Sequence, residues 1–151
     1  MGAEAKLVEL GITVPEVVPP VAAYQPTARS GNLVFTAGQL PARDGEMIAV
    51  GKLGGEVTEE QGYECARQCA LNALAAVKAE IGSLDDVKRV VKVVVFVAST
   101  PDFTGQPKVA NGASELLGEV FGDAGRHARS AVGVAVLPLD APVEVELLVE
   151  V

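Results

Sequence analysis

The spacing of hydrophobic and polar positions changes several times along this chain, and each change marks an element. Over residues 143–151 the alternation is strict: Val143, Val145, Leu147 and Val149 are set against Glu144, Glu146, Leu148 and Glu150. Period two with one apolar side predicts a strand with a single buried face. Residues 128–136 are also β-rich and stop at Leu137-Pro138, so the two segments predict a terminal hairpin joined by a proline turn. Residues 89–98 differ. Val90, Val91, Val93, Val94, Val95, Phe96 and Val97 leave almost no polar side, which predicts a central strand buried on both faces. Residues 33–37 predict another strand, entered from the turn Ser30-Gly31-Asn32 and ended by Pro41. Residues 24–30 form a weaker candidate, interrupted by Pro26. Asp44-Gly45 signals a further turn, before a short strand over 47–50.

Helical spacing appears in three places. Leu7 and Leu10, followed by Gly11, predict a short helix over 3–10. Thr58-Glu59-Glu60-Gln61 is a capping box, in which the Thr hydroxyl and the Gln side chain each satisfy the other's backbone amide. The helix it opens runs to about Ile81, with Gly82 as its stop. Cys69, Leu74, Val77 and Ile81, with Ala66, Ala70 and Ala73, give that helix a broad apolar face of mostly small residues, suited to close approach on a sheet. Residues 83–86 predict one more helical turn. Residues 109–121 predict the second long helix, with Leu116, Leu117, Val120 and Phe121 inward. Pro15, Pro19 and Pro20 keep residues 12–21 extended and irregular.

The order of elements is strands, helix, strand, helix, two strands. It predicts an α+β fold with a mixed sheet and two long helices packed on one face. Residues 1–151 read as one domain, with 1–21 as an N-terminal helix and proline-rich extension. Two helices cover one face of the sheet only, and the valine run makes the other face apolar as well. Covering it calls for an oligomer.

Composition narrows the function classes. The formal charge is −8, and the 12 Lys and Arg residues are scattered rather than clustered. An extended nucleic-acid surface is thereby disfavoured, although a ribonuclease with a local basic pocket stays open. Cys65 and Cys69, four apart on one predicted helix, do not pair easily, because the disulfide dihedral is hard to satisfy there. With a single histidine, His127, a Cys/His metal site is poorly supplied, and no metal or cofactor is expected. Both thiols read as reduced core residues of a cytoplasmic protein. No basic-then-apolar leader opens the chain, and no run of about 18 apolar residues predicts a membrane span.

Two positions fit a plain structural hairpin poorly. Arg129 opens its first strand, and Glu144 stands near the start of its second. An Arg and a carboxylate at strand ends suit a small anionic substrate and a water. The alternatives are an interface salt bridge for Arg129 and a solvated outward face for Glu144, since Glu146 and Glu150 share its parity. His127, with no Ser or Cys nucleophile beside it in the sequence, reads as structural.

The residues Ser30-Gly31-Asn32-Leu33-Val34-Phe35-Thr36-Ala37-Gly38-Gln39-Leu40-Pro41, then Val95-Phe96-Val97 with Asp102-Phe103, then Ala128-Arg129-Ser130-Ala131-Val132 with Leu137-Pro138 and Val143-Glu144-Val145-Glu146, resemble the YjgF/Rid family. The match spans nearly the whole chain from residue 22 onward. The N-terminal extension and the loop around Gly105-Gln106-Pro107 look like those of a divergent branch. The resemblance implies a chorismate-mutase-like fold, a homotrimer with a central barrel, and clefts between subunits. It implies that Arg129 clamps a substrate carboxylate, that Glu144 holds the attacking water, and that Tyr24 serves the same catalytic site. Asn111, Ser130 and Gly38 complete the implied substrate-binding set. Ala131 stands where many deaminase-branch members carry Cys, which removes a thiol from the site.

The activity so implied is hydrolysis of a 2-imino acid, or its enamine tautomer, to a 2-keto acid and ammonia, with no metal or cofactor. An imine is already electrophilic, so the protein need only hold the substrate and aim a water. A planar guanidinium suits the first task through two parallel bonds to a carboxylate. Two other classes remain: a non-catalytic trimer that binds a small carboxylate metabolite, and, less well supported, an endoribonuclease, a label that some family members carry.

Overall fold

The computed structural model describes residues 1–20 and 22–151; Val21, the end of the proline-rich extension, lies outside them. The chain opens with a short helix α1 (Ala3–Glu9), closed by Gly11 at a φ of 69°. Strand β1 (Thr27–Ser30) starts only after Pro26, so Tyr24 falls in the bend before it. Gly31, at a φ of 59°, turns the chain within two residues, and Ser30 pairs with Leu33 of β2 (Leu33–Thr36). Asp44 and Gly45 have φ values of 54° and 83°, the pair of left-handed residues that a tight hairpin turn requires. They join β3 (Ala42–Arg43) to β4 (Glu46–Met47). The strand expected over 47–50 therefore shrinks to β4, because the partner that β3 offers is only two residues long.

Helix α2 (Glu59–Ile81) forms on the expected capping box. The Thr58 hydroxyl accepts from the Gln61 amide at 3.1 Å, and the Gln61 side chain accepts from the Thr58 amide at 2.8 Å. It ends at Gly82, whose φ is 90°. A 3-10 turn (Leu84–Asp86) leads into β5 (Arg89–Ala98). Helix α3 (Gln106–Phe121) begins earlier than the periodicity indicates, because Pro107 sits in its first turn, where a missing N–H leaves no helical bond unmade. Strands β6 (Ala128–Val134) and β7 (Val143–Glu150) complete the chain.

The main sheet has the order β1-β2-β7-β5-β6. Its neighbours are antiparallel except β5 and β6, which run parallel, so the sheet is mixed. The expected terminal hairpin is overturned: β5 lies between β6 and β7. Helix α3 carries the chain from β5 across to a parallel β6, and β7 then returns to the far side of β5. Alternation shows that a strand has one buried face, but it does not name the neighbour.

Helices α2 and α3 pack together on one face of the sheet. At Gly112 their backbones nearly touch, since a β-carbon there would lie 2.0 Å from the Tyr63 carbonyl oxygen. Beneath them Val34, Val90, Val93, Val95, Val97, Val143, Val145, Leu147 and Val149 are buried against Ala66, Cys69, Ala73, Leu74, Leu116 and Leu117. The other face stays open. Val91, Val94 and Phe96 are only half-buried, and Phe35 and Val132 are each 43% exposed. The central strand is thus buried on one face within this chain, not on both.

Candidate functional site

The register of β6 decides where Arg129 goes. Arg129 lies opposite Val93 in the parallel pair, so both side chains share the helix-covered face. Its companions on that face are Ala131 and Gly133, and their small size lets α3 settle against the edge strand. A β-carbon on Gly133 would lie 2.9 Å from Nε2 of Gln106, in the first turn of α3. From there Nη1 of Arg129 donates to Oδ1 of Asn111 at 2.9 Å and to Oγ of Ser114 at 3.1 Å. Asn111 and Ser114 are three apart on α3 and so present to one side. Nη2 reaches toward the Pro107 carbonyl at 3.4 Å. Among the described residues, Nε has no protein partner and Nη2 has only that long contact, so the Nε edge is the less engaged one. That edge is the one on which a carboxylate forms two parallel bonds.

Glu144 lies opposite Phe96 on β5 and therefore on the open face. Burial of its half-covered carboxyl raises its proton affinity above the ordinary glutamate value, and the charge of Glu146 adds to the rise. The side chain rests over Gly38. A β-carbon on Gly38 would lie 2.7 Å from Cδ and 2.8 Å from Oε1 of Glu144. Gly38 is held there by its neighbour Gln39, whose amide donates to the Val145 carbonyl at 2.8 Å and whose carbonyl accepts from the Val145 amide at 3.0 Å.

Of the other expected site residues, Ser130 lies opposite Val94 and so faces the open side, away from the guanidinium. Tyr24, 45% exposed, precedes β1 at the sheet edge opposite β6. Four strand spacings of about 4.8 Å separate those edges, roughly 19 Å. The structure brings Arg129 to Asn111, and Glu144 to Gly38. It leaves these two pairs on opposite faces, with Tyr24 apart from both.

Two participants were not legible as such. His127 lacks a serine beside it in the sequence, but α3 supplies one: Nε2 of His127 is 2.8 Å from Oγ of Ser114, and Nδ1 is 2.6 Å from the Gly125 carbonyl oxygen. The available signal was the position of Ser114 one helical turn after Asn111.

Cys65 and Cys69 are free and buried on α2. Burial pushes the Cys65 thiol up to about 11 and the Cys69 thiol well above its ordinary value. On the outer side of the helix pair, the hydrogen bond from Tyr63 to Glu115 pushes the phenol up to about 12. Among the described residues, no group of three His, Cys, Asp or Glu side chains is placed to hold a metal ion. None of the helices described is long and apolar enough to cross a membrane.

Comparison with known proteins places the chain in a family. The family model described as "YjgF/chorismate_mutase-like, putative endoribonuclease" matches residues 4–151. Protein TCP17 of Trypanosoma cruzi is 49% identical over 147 residues, covering 97% of this chain and 92% of its own. A protein of Dermatophagoides farinae named 2-iminobutanoate/2-iminopropanoate deaminase is 32% identical over 140 residues, covering 91% and 93%. A crystal structure from Shewanella oneidensis, described as a "putative endoribonuclease", superposes with a TM-score of 0.97 at 34% identity over the full length of both chains. The α+β fold with its mixed sheet is thus the chorismate-mutase-like fold, and the chain belongs to the YjgF/chorismate mutase-like family.

Proposed function

We propose that the protein hydrolyses 2-imino acids, or their enamine tautomers, to 2-keto acids and ammonia, in clefts between the subunits of a homotrimer. The observation that carries this is the state of Arg129. Asn111 and Ser114 hold one end of the guanidinium, while the Nε edge is left for a ligand. A 2-imino acid offers a carboxylate for that edge and an electrophilic carbon beside it. Water adds to that carbon, and the tetrahedral adduct expels ammonia. Glu144 accepts the water's proton as it adds and returns it to the amino nitrogen of the adduct, which then leaves as ammonia. Its burial makes it a stronger base than a solvated carboxylate. Gly38, Ser130 and Tyr24 complete the pocket.

Arg129 and Glu144 occupy opposite faces of one sheet, so the pocket needs the β6 edge of one copy against the open face of the next. Three sheets closed into a central barrel would also cover Phe35 and Val132. We take residues 1–151 as one such domain, working in the cytoplasm, where Cys65 and Cys69 stay reduced. The name of the 32% identical mite relative supports the reaction type.

A second reading, a non-catalytic trimer that binds a small carboxylate metabolite, draws on the same clamp and on the distance of Glu144 from it within one chain. Endoribonuclease activity has the least support, given the charge of −8 and a lone histidine with both ring nitrogens engaged.

The test generates 2-iminopropionate with an amino-acid oxidase and follows keto-acid release. Wild type should accelerate it, and Arg129→Ala should lose on the order of 100-fold or more. No acceleration by wild type across several imino acids sinks the deaminase reading. Pyruvate binding that is lost in Arg129→Ala would then favour the binding module.

A further inference from the structure

The hydrogen bonds around Arg129 have a direction, and it is set at the end farthest from any ligand. The Gly125 carbonyl can only accept, so Nδ1 of His127, 2.6 Å away, carries the proton. In the neutral ring Nε2 is then an acceptor, and the group 2.8 Å from it is the Ser114 hydroxyl. The hydroxyl proton therefore points to His127. This turns the oxygen lone pairs of Ser114 toward Arg129, whose Nη1 donates to them at 3.1 Å. The second Nη1 hydrogen goes to Oδ1 of Asn111 at 2.9 Å. With both hydrogens directed, the plane of the guanidinium is fixed.

The anchor of this chain is also built in. Gly125 lies so close to α3 that a β-carbon on it would stand 2.3 Å from the Leu117 carbonyl oxygen. Its carbonyl is thereby set under the imidazole. Among the described residues no other partner of His127 competes for either ring nitrogen.

We infer that His127 and Ser114 are positioning residues for Arg129: together they orient its guanidinium so that the Nε edge is presented to a ligand carboxylate, although neither touches the ligand. The inference rests on the carboxylate-clamp reading above. It goes beyond it by assigning a role to two residues outside the expected site and by specifying the tautomer on which that role depends.

The test uses four substitutions at Ser114 and His127, with Arg129→Ala as the reference, in the full-length protein, with pyruvate as the carboxylate probe and 2-iminopropionate as the substrate. Ser114→Ala and His127→Leu should each raise the pyruvate Kd and the KM about tenfold, with kcat within about twofold of wild type. Ser114→Thr keeps the hydroxyl, and His127→Gln keeps an acceptor toward Ser114, so both should restore most of the affinity. Nitrogen NMR of the Arg129 side chain gives a readout independent of the reaction. The Nη1 and Nη2 signals should be distinct in wild type and should merge in Ser114→Ala and His127→Leu, as rotation becomes free. The two positions are probed separately, so a variant that does not fold leaves the other in place. Equal losses in the conservative and disruptive variants overturn the inference, because packing and not polarity would then be at stake. So does wild-type affinity in all four while Arg129→Ala loses binding, and in that case the clamp itself stands. If Arg129→Ala also binds pyruvate and turns over substrate like wild type, the clamp reading falls and takes this one with it.

Discussion

Arg129 and Glu144 stand on opposite faces of one sheet, Arg129 beside Val93 and Glu144 beside Phe96. A site that uses both must take each from a different copy of the chain. Arg129→Ala and Glu144→Gln are each expected to be inactive alone. Unfolded together in equal amounts and refolded, they should recover about a quarter of wild-type activity, since each cleft draws one intact residue from each of two randomly assorted chains. No recovery in verified mixed oligomers would place the whole site within one chain.

Gly38 is a glycine because Glu144 fills the space of its side chain. Gly38→Ala should push the carboxylate aside while leaving the fold intact, because Glu144 is half-buried and free to shift outward. A displacement of about 1 Å at a reacting group costs on the order of 100-fold in rate. The expected outcome is a large fall in kcat with a melting temperature close to wild type. An unchanged kcat would show that the position of Glu144 does not matter to turnover.

The raised proton affinity of Glu144 has opposite consequences for activity and stability. The folded chain binds this proton more tightly than the unfolded chain. The contribution of this group to stability is therefore full below the ordinary glutamate value of about 4.3 and is lost as pH rises through the elevated folded value. Glu144→Gln should melt roughly 1–3 °C above wild type near neutral pH, with the gap closing below about pH 4. The reaction needs the ionised form, so the acid limb of the wild-type kcat profile should lie above the range of a solvated glutamate. Melting curves and rates across pH check both signs.

Gly112 marks the contact between α2 and α3, with the Tyr63 carbonyl where a β-carbon would go. Backbone cannot rotate away as a side chain can. Gly112→Ala should cost about 1–3 kcal/mol in urea unfolding, as overpacked interiors do. It should also weaken carboxylate binding, because Asn111 and Ser114 ride on the same turn. Gly118 is an internal control on the same helix: its surroundings are open, and Gly118→Ala should stabilise by up to about 1 kcal/mol.

Much of the fold could be read from local chemistry. The capping box fixed the start of α2, Gly82 its end, and the valine run gave β5 at its observed bounds. These signals are complete within a few residues. The terminal hairpin failed because pairing is a long-range choice: β7 could be seen to have one buried face, but its place between β2 and β5 depends on where α3 carries the chain. The start of α3 was missed because apolar spacing begins only after Pro107, while the helix needs no core-facing residue in its first turn.

The candidate site divides the same way. Residue types and order alone singled out Arg129 and Glu144, a guanidinium and a carboxylate near strand ends; Tyr24, Asn111, Ser130 and Gly38 came only with the family resemblance. The family resemblance gave those residues their roles. What the sequence by itself determined was this inventory, an α+β fold, and a sheet with one face too many to cover. Only the tertiary structure decided that Ser114 joins His127 and Arg129 across 13 and 15 residues of chain, that Glu144 rests on Gly38, and that the two sets lie on opposite faces. The physical reason is register. A strand's alternation shows that successive side chains take opposite sides, and only its partner fixes which side is the core.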